Sequence, residues 1–211
     1  MARMEDVLEV YRRSYDATAP VVCMDEMPVQ LTKETRRPIP AGPGRPRRVD
    51  YEYERNGTAN IFTFVEPLGG WRQTRVTERR TRVDWAMALR DLVDGRYADA
   101  KIIVLIMDNL NTHTLGSLYE AFPPAEARRL AKRLEIHYTP KHGSWLNIAE
   151  NELSVLSRQC LSRRIGTIDQ LKSEVAAWEA PRNEEQVRVQ WRLTIDQARI
   201  KLHKVYPTIQ N

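Results

Sequence analysis

At 211 residues, with 42% hydrophobic and 29% charged content, the sequence fits one large globular domain with a sizeable core and excludes disordered and fibrous classes. It has no run of 18 apolar residues and opens without a signal-peptide pattern, which argues against membrane and secreted readings. The net charge is +5, and the five arginines between Arg36 and Arg48, with no acid among them, account for all of that excess, as suits a polyanion partner; a merely solvated loop is the competing reading.

Residues 1–20 read as a short helix around 4–11 and a linker, and Pro20 forces an extended entry into Val21-Val22-Cys23-Met24-Asp25-Glu26, a short apolar strand ending at an acid. Prolines 28, 38, 40, 43 and 46, with Gly42 and Gly44, then exclude a regular element and predict a stiff, extended basic arm over about 28–48. Asn56-Gly57 signals a tight turn, 59–65 reads as a second strand, and Gly69-Gly70 leads into a half-solvated third at 71–77. The three would form an antiparallel meander. Thr81 is placed to cap a helix that continues to about Asp94, with Val83, Met87, Leu89 or Arg90, and Val93 at helical spacing.

Ile102 to Met107 is an unbroken apolar run, mostly β-branched, and reads as a strand buried on both faces of a mixed or parallel sheet. Asp108 sits where it emerges, at the carboxyl end, where open α/β sheets place their chemistry; a simple Asp-Asn turn is the alternative. Residues 115–122 and 124–134 look helical, and 135–140 forms a short strand stopped by Pro140. From Gly143 a helix is expected to run to about Leu161, with Leu146, Ala149, Leu153, Leu156 and Cys160 on its buried face. Glu150 lies beside that face, where a carboxylate costs energy unless paired, whereas Glu152 points away as a routine surface charge. Thr167 caps another helix through Trp178, and a basic helix covers 194–205. Cys23 and Cys160, far apart in sequence, are poor evidence for a disulfide and fit a reducing cytosol. Strands interleaved with helices predict an α/β domain over 21–211, a mixed sheet flanked by helices.

Asp25 and Asp108 thus each follow a buried strand, and Glu150 lies on a later helix. Were the two strands neighbours, their carboxylates would be close enough for repulsion to raise one pKa unless a cation sat between them. Oxygen ligands without cysteines or clustered histidines favour Mg²⁺ or Mn²⁺ over zinc. Two such ions, about 3.5–4 Å apart, can activate a water or a 3′-hydroxyl and stabilise the leaving oxygen of a phosphodiester.

The stretches Val-Cys-Met-Asp25-Glu, Val-Leu-Ile-Met-Asp108-Asn-Leu-Asn-Thr-His and His-Tyr-Thr-Pro-Lys-His-Gly-Ser-Trp-Leu-Asn-Ile-Ala-Glu150 resemble the three acidic motifs of bacterial insertion-sequence transposases. The branch is the insertion sequence 630 family, within the mariner-type superfamily of DDE transposases. The resemblance runs from about Val21 to Pro207 and includes Tyr-Glu-Tyr-Glu-Arg-Asn-Gly-Thr-Ala-Asn and Asp-Gln-Ala-Arg-Ile-Lys-Leu. It implies a ribonuclease-H-like core and divalent-metal-dependent DNA cleavage and joining at TA dinucleotides, with Asp25, Asp108 and Glu150 as catalytic and metal-holding triad. Asn109 and Asn147 match positions beside the acids and would orient ligands.

His113 reads either as a hydrogen-bond partner of an acid or as a turn stabiliser, and His142 equally as a surface residue or a DNA contact. Trp145 reads as an anchor for its helix rather than a stacking platform. Lys141 and His142, ahead of a helix N-terminus, suit a phosphate. Arg36, Arg37, Arg45, Arg47 and Arg48 would hold DNA phosphates with little sequence reading. Implied partners are double-stranded DNA, both element ends and target, and further copies of the chain in a synaptic complex that is a homodimer or larger. The implied setting is bacterial cytoplasm, with nucleoid association.

There are two departures. Family members usually carry helix-turn-helix modules ahead of this core, so the expectation is either a truncated copy or the second half of a product split across two reading frames, with a separate subunit or an upstream domain as the partner for end recognition. Asn151 stands where an aliphatic residue is expected. A non-catalytic remnant that binds DNA or dimerises is the competing function, and a cellular nuclease acting on RNA–DNA hybrids ranks behind it.

Overall fold

The computed structural model describes residues 1–203, so the end of the last expected helix and the last residues of the expected domain lie outside the described residues. Five strands form one mixed sheet: β1 (Val21–Glu34), β2 (Tyr53–Glu66), β3 (Trp71–Thr77), β4 (Ile103–Met107) and β5 (Leu134–Tyr138), in spatial order β3-β2-β1-β4-β5. The first three form the antiparallel meander, while β4 lies parallel to both β1 and β5. All five residues of β4 are buried, as expected of a strand covered on both faces.

Period-two alternation divides the core. Val22, Met24, Phe62, Phe64, Ile103, Leu105 and Met107 face helices α2 (Arg82–Asp94), α3 (Leu115–Ala121) and α4 (Pro124–Ala131). Cys23, Val65, Val104 and Ile106 face α1 (Ala2–Tyr11), the start of α5 (Ile148–Gln159) and α7 (Ile195–Lys201). A third cluster joins Leu31, Ala59 and Ile61 to the end of α5 and to α6 (Ile168–Glu184). Helix α1 buries Met4, Val7, Leu8 and Val10 in this packing. Among the described residues no helix is long and apolar enough to cross a membrane.

Several local expectations are corrected. The segment from Pro28 to Glu34 is regular strand, pairing with β2 as far as Glu34 opposite Tyr53. Pro28 is accommodated because β4 pairs with β1 only through Val21–Cys23, and beyond that β1 is an edge on one side. The arm proper begins after Glu34 and folds back on itself through paired Ile39 and Arg48, then Gly42 and Arg45.

Asn56-Gly57 does not end a strand. It lies inside β2 where the register shifts opposite Leu31, and Gly57 takes a positive φ of 88°, so the turn signal produces a bulge. Helix α2 has the expected Thr81 cap, completed as a capping box by Asp84, but buries Trp85, Ala86, Ala88, Leu89, Leu92 and Val93 and leaves Val83 exposed. The helix expected from Gly143 is a single 3-10 turn over Ser144–Leu146, followed by α5 from Ile148. Helix α6 continues past Trp178 to Glu184, with Pro181 in its last turn. Cys23 and Cys160 are buried free thiols.

Candidate active site

The β1–β4 register pairs Val21 with Val104, Val22 with Leu105 and Cys23 with Ile106. Continued two residues, it brings Asp25, which lies inside β1 rather than at the strand end expected of it, opposite Asp108 just past the carboxyl end of β4, with the strand axes about 4.8 Å apart. Alternation puts Asp25 on the face of Cys23 and Asp108 on the face of Ile106, and both of those residues pack towards α5. Glu150 occupies the first turn of α5, beside a helix N-terminus. Three carboxylates from distant parts of the chain therefore converge at one corner of the sheet.

Asn147 fixes that corner. Its side-chain oxygen caps α5 by accepting from the Ala149 amide at 3.2 Å, and its Nδ2 donates to the Met24 carbonyl at 2.8 Å. The residue is 1% exposed, so one side chain ties the start of α5 to the backbone immediately before Asp25. Tyr11 braces the same turn, donating to the Leu146 carbonyl at 2.7 Å and accepting from the Ile148 amide at 3.3 Å. Trp145, expected to anchor the helix, is 43% exposed and stacks on Trp191, itself stacked on Tyr11; the buried anchor is Leu146.

Electrostatically the corner is crowded with negative charge. Burial pushes the Asp25 carboxyl up to about 7, the charges of Glu26, Asp108 and Glu150 add to the rise, and the Glu26 amide, donating to Asp25 Oδ1 at 2.8 Å, opposes it. The Glu150 carboxylate has no hydrogen-bond or ion-pair partner among the described residues. An all-oxygen set held this way fits a hard divalent cation, which would remove the repulsion that raises Asp25.

Asp108 has protein partners on one oxygen. Its Oδ1 accepts from His113 Nδ1 at 2.5 Å and from the Leu110 amide at 3.4 Å. The other ring nitrogen of His113 lies 3.2 Å from Glu26 Oε2. Burial alone would lower the imidazole pKa, but the bond to Asp108 and the contact with Glu26, with both charges, outweigh it and raise it to about 9. The ring is therefore favoured as an imidazolium, hydrogen-bonded to Asp108 and in ion-pair contact with Glu26. Ligand-type atoms of Glu26, Asp108 and His113 lie within 4.8 Å of one another, with His113 Nδ1 bonded to Asp108 and Nε2 in ion-pair contact with Glu26.

An open groove of about 360 Å³ borders Asp108 and is lined by Arg3, Asn109, Thr139, Lys141, His142 and Ser144 among others. Asn109 is exposed on that wall, and His142 holds a left-handed φ of 62°. Lys141 and His142 thus lie beside Asp108. The arginines of the arm do not line this groove. Arg36 pairs with Asp50, Arg45 and Arg48 line a cleft within the arm itself, and Arg47 lines a larger cavity with Arg163 and Arg164.

Two features escaped sequence reasoning. Glu26 is nearly buried, on the sheet face opposite Asp25; a carboxylate at the same alternation as Val22 and Met24 was the available signal. Glu152, expected at the surface, is 3% exposed and takes ion pairs from Arg72 at 3.0 Å and Arg182 at 2.7 Å. The helical wheel of α5 reported only its apolar stripe; the partner Arg72 comes from β3, and no local pattern revealed it.

A family model described as the DDE superfamily endonuclease matches residues 20–172. The Mos1 Strand Transfer Complex superposes with a TM-score of 0.60 at 15% identity, covering 88% of this chain and 55% of that one. The Mos1 mariner paired end complex with Mn gives 0.57 at 17% identity, with 88% and 56% covered. The catalytic domain of Mos1 mariner transposase gives 0.54 at 14% identity, with 88% and 89% covered. The chain thus spans a little over half the length of the chains in those complexes and nearly all of the isolated catalytic domain. At these identities the likeness shows the shared fold, a ribonuclease-H-like mixed sheet flanked by helices. No curated protein sequence matches.

Proposed function

The chain belongs to the DDE superfamily endonuclease family, and on that premise we propose that it is the catalytic domain of a transposase. In this reading it cleaves DNA at element ends and transfers the 3′-hydroxyl to target DNA at TA sites. The observation that carries the reading is the strand register, which sets Asp25 opposite Asp108 with the Glu150 helix on the same face.

Asp25 and Asp108 would jointly hold one divalent cation and Glu150 a second. Bound Mg²⁺ or Mn²⁺ supplies activation of a water or 3′-hydroxyl and charge stabilisation of the leaving oxygen. The protein's own part is positional. Asn147 sets the distance between α5 and β1, His113 restrains Asp108, and the Glu26 amide holds Asp25 Oδ1. Arg3, Lys141 and His142 along the groove suit backbone phosphates of a strand leading to Asp108, and the arginine arm suits phosphates elsewhere on the duplex. Synapsis of two element ends would bring a second copy of the chain, and a helix-turn-helix subunit or domain would select the ends.

The test is plasmid cleavage by the purified chain with Mg²⁺ or Mn²⁺, alongside Asp108→Ala. Metal-dependent nicking or joining that disappears in the variant is the expected outcome. DNA binding without cleavage, identical in both proteins, would replace the proposal with a DNA-binding remnant.

A further inference from the structure

The reading above does not use Glu26, yet the structure places its carboxylate at considerable cost. The side chain is 3% exposed, and it sits next to Asp25 on the sheet face that carries Val22 and Met24. A buried charge costs several kcal/mol unless paired, and an apolar residue of the same size would fill the position more cheaply. Its partners are two cations, met as ion pairs. Oε2 faces His113 Nε2 at 3.2 Å, and Oε1 lies 3.7 Å from Arg80 Nη1.

His113 is held as tightly. It is 1% exposed, its ring stacks on Trp85 with centroids 5.8 Å apart, its amide donates to the Leu110 carbonyl, and its own carbonyl accepts from the Tyr138 hydroxyl. The ring therefore cannot swing away, and its Nδ1 meets Asp108 Oδ1 at 2.5 Å. Both protein bonds to Asp108 fall on that oxygen, and Oδ2 makes none among the described residues. A chain of contacts, Arg80 to Glu26 to His113 to Asp108, runs from the α2 face of the sheet around its carboxyl edge to the acidic corner.

We propose that Glu26 is a positioning residue for Asp108: acting through His113, it fixes which carboxylate oxygen is committed to the protein and which is offered to a divalent cation. The inference rests on the proposed metal-holding role of Asp25, Asp108 and Glu150. Asp108 follows the last residue of β4 and is 34% exposed, so without this tether its carboxylate would sample several rotamers, and ordering it again would weaken cation binding.

The test is calorimetric titration of the full chain with Mn²⁺ alone, without DNA, together with the melting temperature in EDTA. Glu26→Gln and His113→Gln are each expected to weaken Mn²⁺ binding about 10–100-fold, the range found when partners of metal ligands are removed. The double variant is expected to be no weaker than His113→Gln alone, because the two act along one path. Unchanged Mn²⁺ affinity with a lowered melting temperature would reduce the pair to a structural tie and overturn the proposal. A loss in Glu26→Gln as complete as in Asp108→Asn, and additive with His113→Gln, would make Glu26 a ligand and overturn it too. Should Glu26→Gln lose its cooperative melt, Glu26→Asp withdraws the same oxygen while keeping the charge, and the same affinity loss is expected. A wild-type chain that binds no Mn²⁺ would remove the metal reading itself, a result distinct from normal wild-type binding with unaffected variants.

Discussion

Replacing Glu152 by alanine should destabilise the protein far more than a helix-surface substitution would. Glu152 Oε1 is shared by Arg72 Nε at 3.0 Å and Arg182 Nε at 2.7 Å, and the Arg72 side chain is fully buried. Burial pulls the Arg72 guanidinium down from its ordinary pKa and Glu152 opposes that pull, so the carboxylate is what keeps a buried cation tolerable. After truncation Arg72 would retain neutral acceptors, the carbonyls of Gly70, Arg182 and Val187, but no opposing charge within contact. Stranding one partner of a buried pair costs about 3–5 kcal/mol. At roughly 2–4 °C per kcal/mol for a chain of this size, the midpoint should fall by about 6–20 °C in calorimetry. The double replacement Arg72→Met with Glu152→Leu should recover most of the loss, since burying neither charge avoids both desolvation costs. A Glu152→Ala midpoint within about 2 °C of wild type would refute the reasoning and show that the carbonyls alone suffice for Arg72.

Two further outcomes follow from the same corner of the sheet. In the metal-free protein Asp25 is protonated up to about pH 7, against an ordinary value of 3.8. The unfolded chain therefore loses this proton first, and the group's contribution is present at low pH and declines as pH rises from about 4 to 7, by at most about 4 kcal/mol. Urea denaturation in EDTA should show that decline in wild type and its loss in Asp25→Asn; equal slopes would contradict it. Asn147→Ala removes the cap of α5 and the bond to the Met24 carbonyl, and should cost about 1–3 kcal/mol by the same assay, with an unchanged urea midpoint counting against the clamp.

Much of the architecture was legible in the chain because it depends on short-range pattern. The unbroken apolar run at β4 required a strand covered on both faces, Thr81 and Thr167 marked helix starts through local capping, and the position of Asp108 followed from where that run ends, whereas the strand expected to stop at Asp25 continues to Glu34. The acidic motifs pointed to the same three residues. Other outcomes depended on what lies across space. Asn56-Gly57 became a bulge because β1 supplies a partner on both sides of it, and Pro28 remained in a strand because β4 stops pairing at Cys23.

Glu152 illustrates the limit most clearly. Helical spacing assigned it to solvent, and it is buried because Arg72, 80 residues away in β3, occupies the space it faces. Glu26 and His113 belong to the same class: their partnership joins β1 to the loop after β4. A strand's alternation determines the face on which a charge emerges. Whether that charge meets water, a cation or an opposing side chain is decided by elements remote in sequence, and only the tertiary structure brings those together.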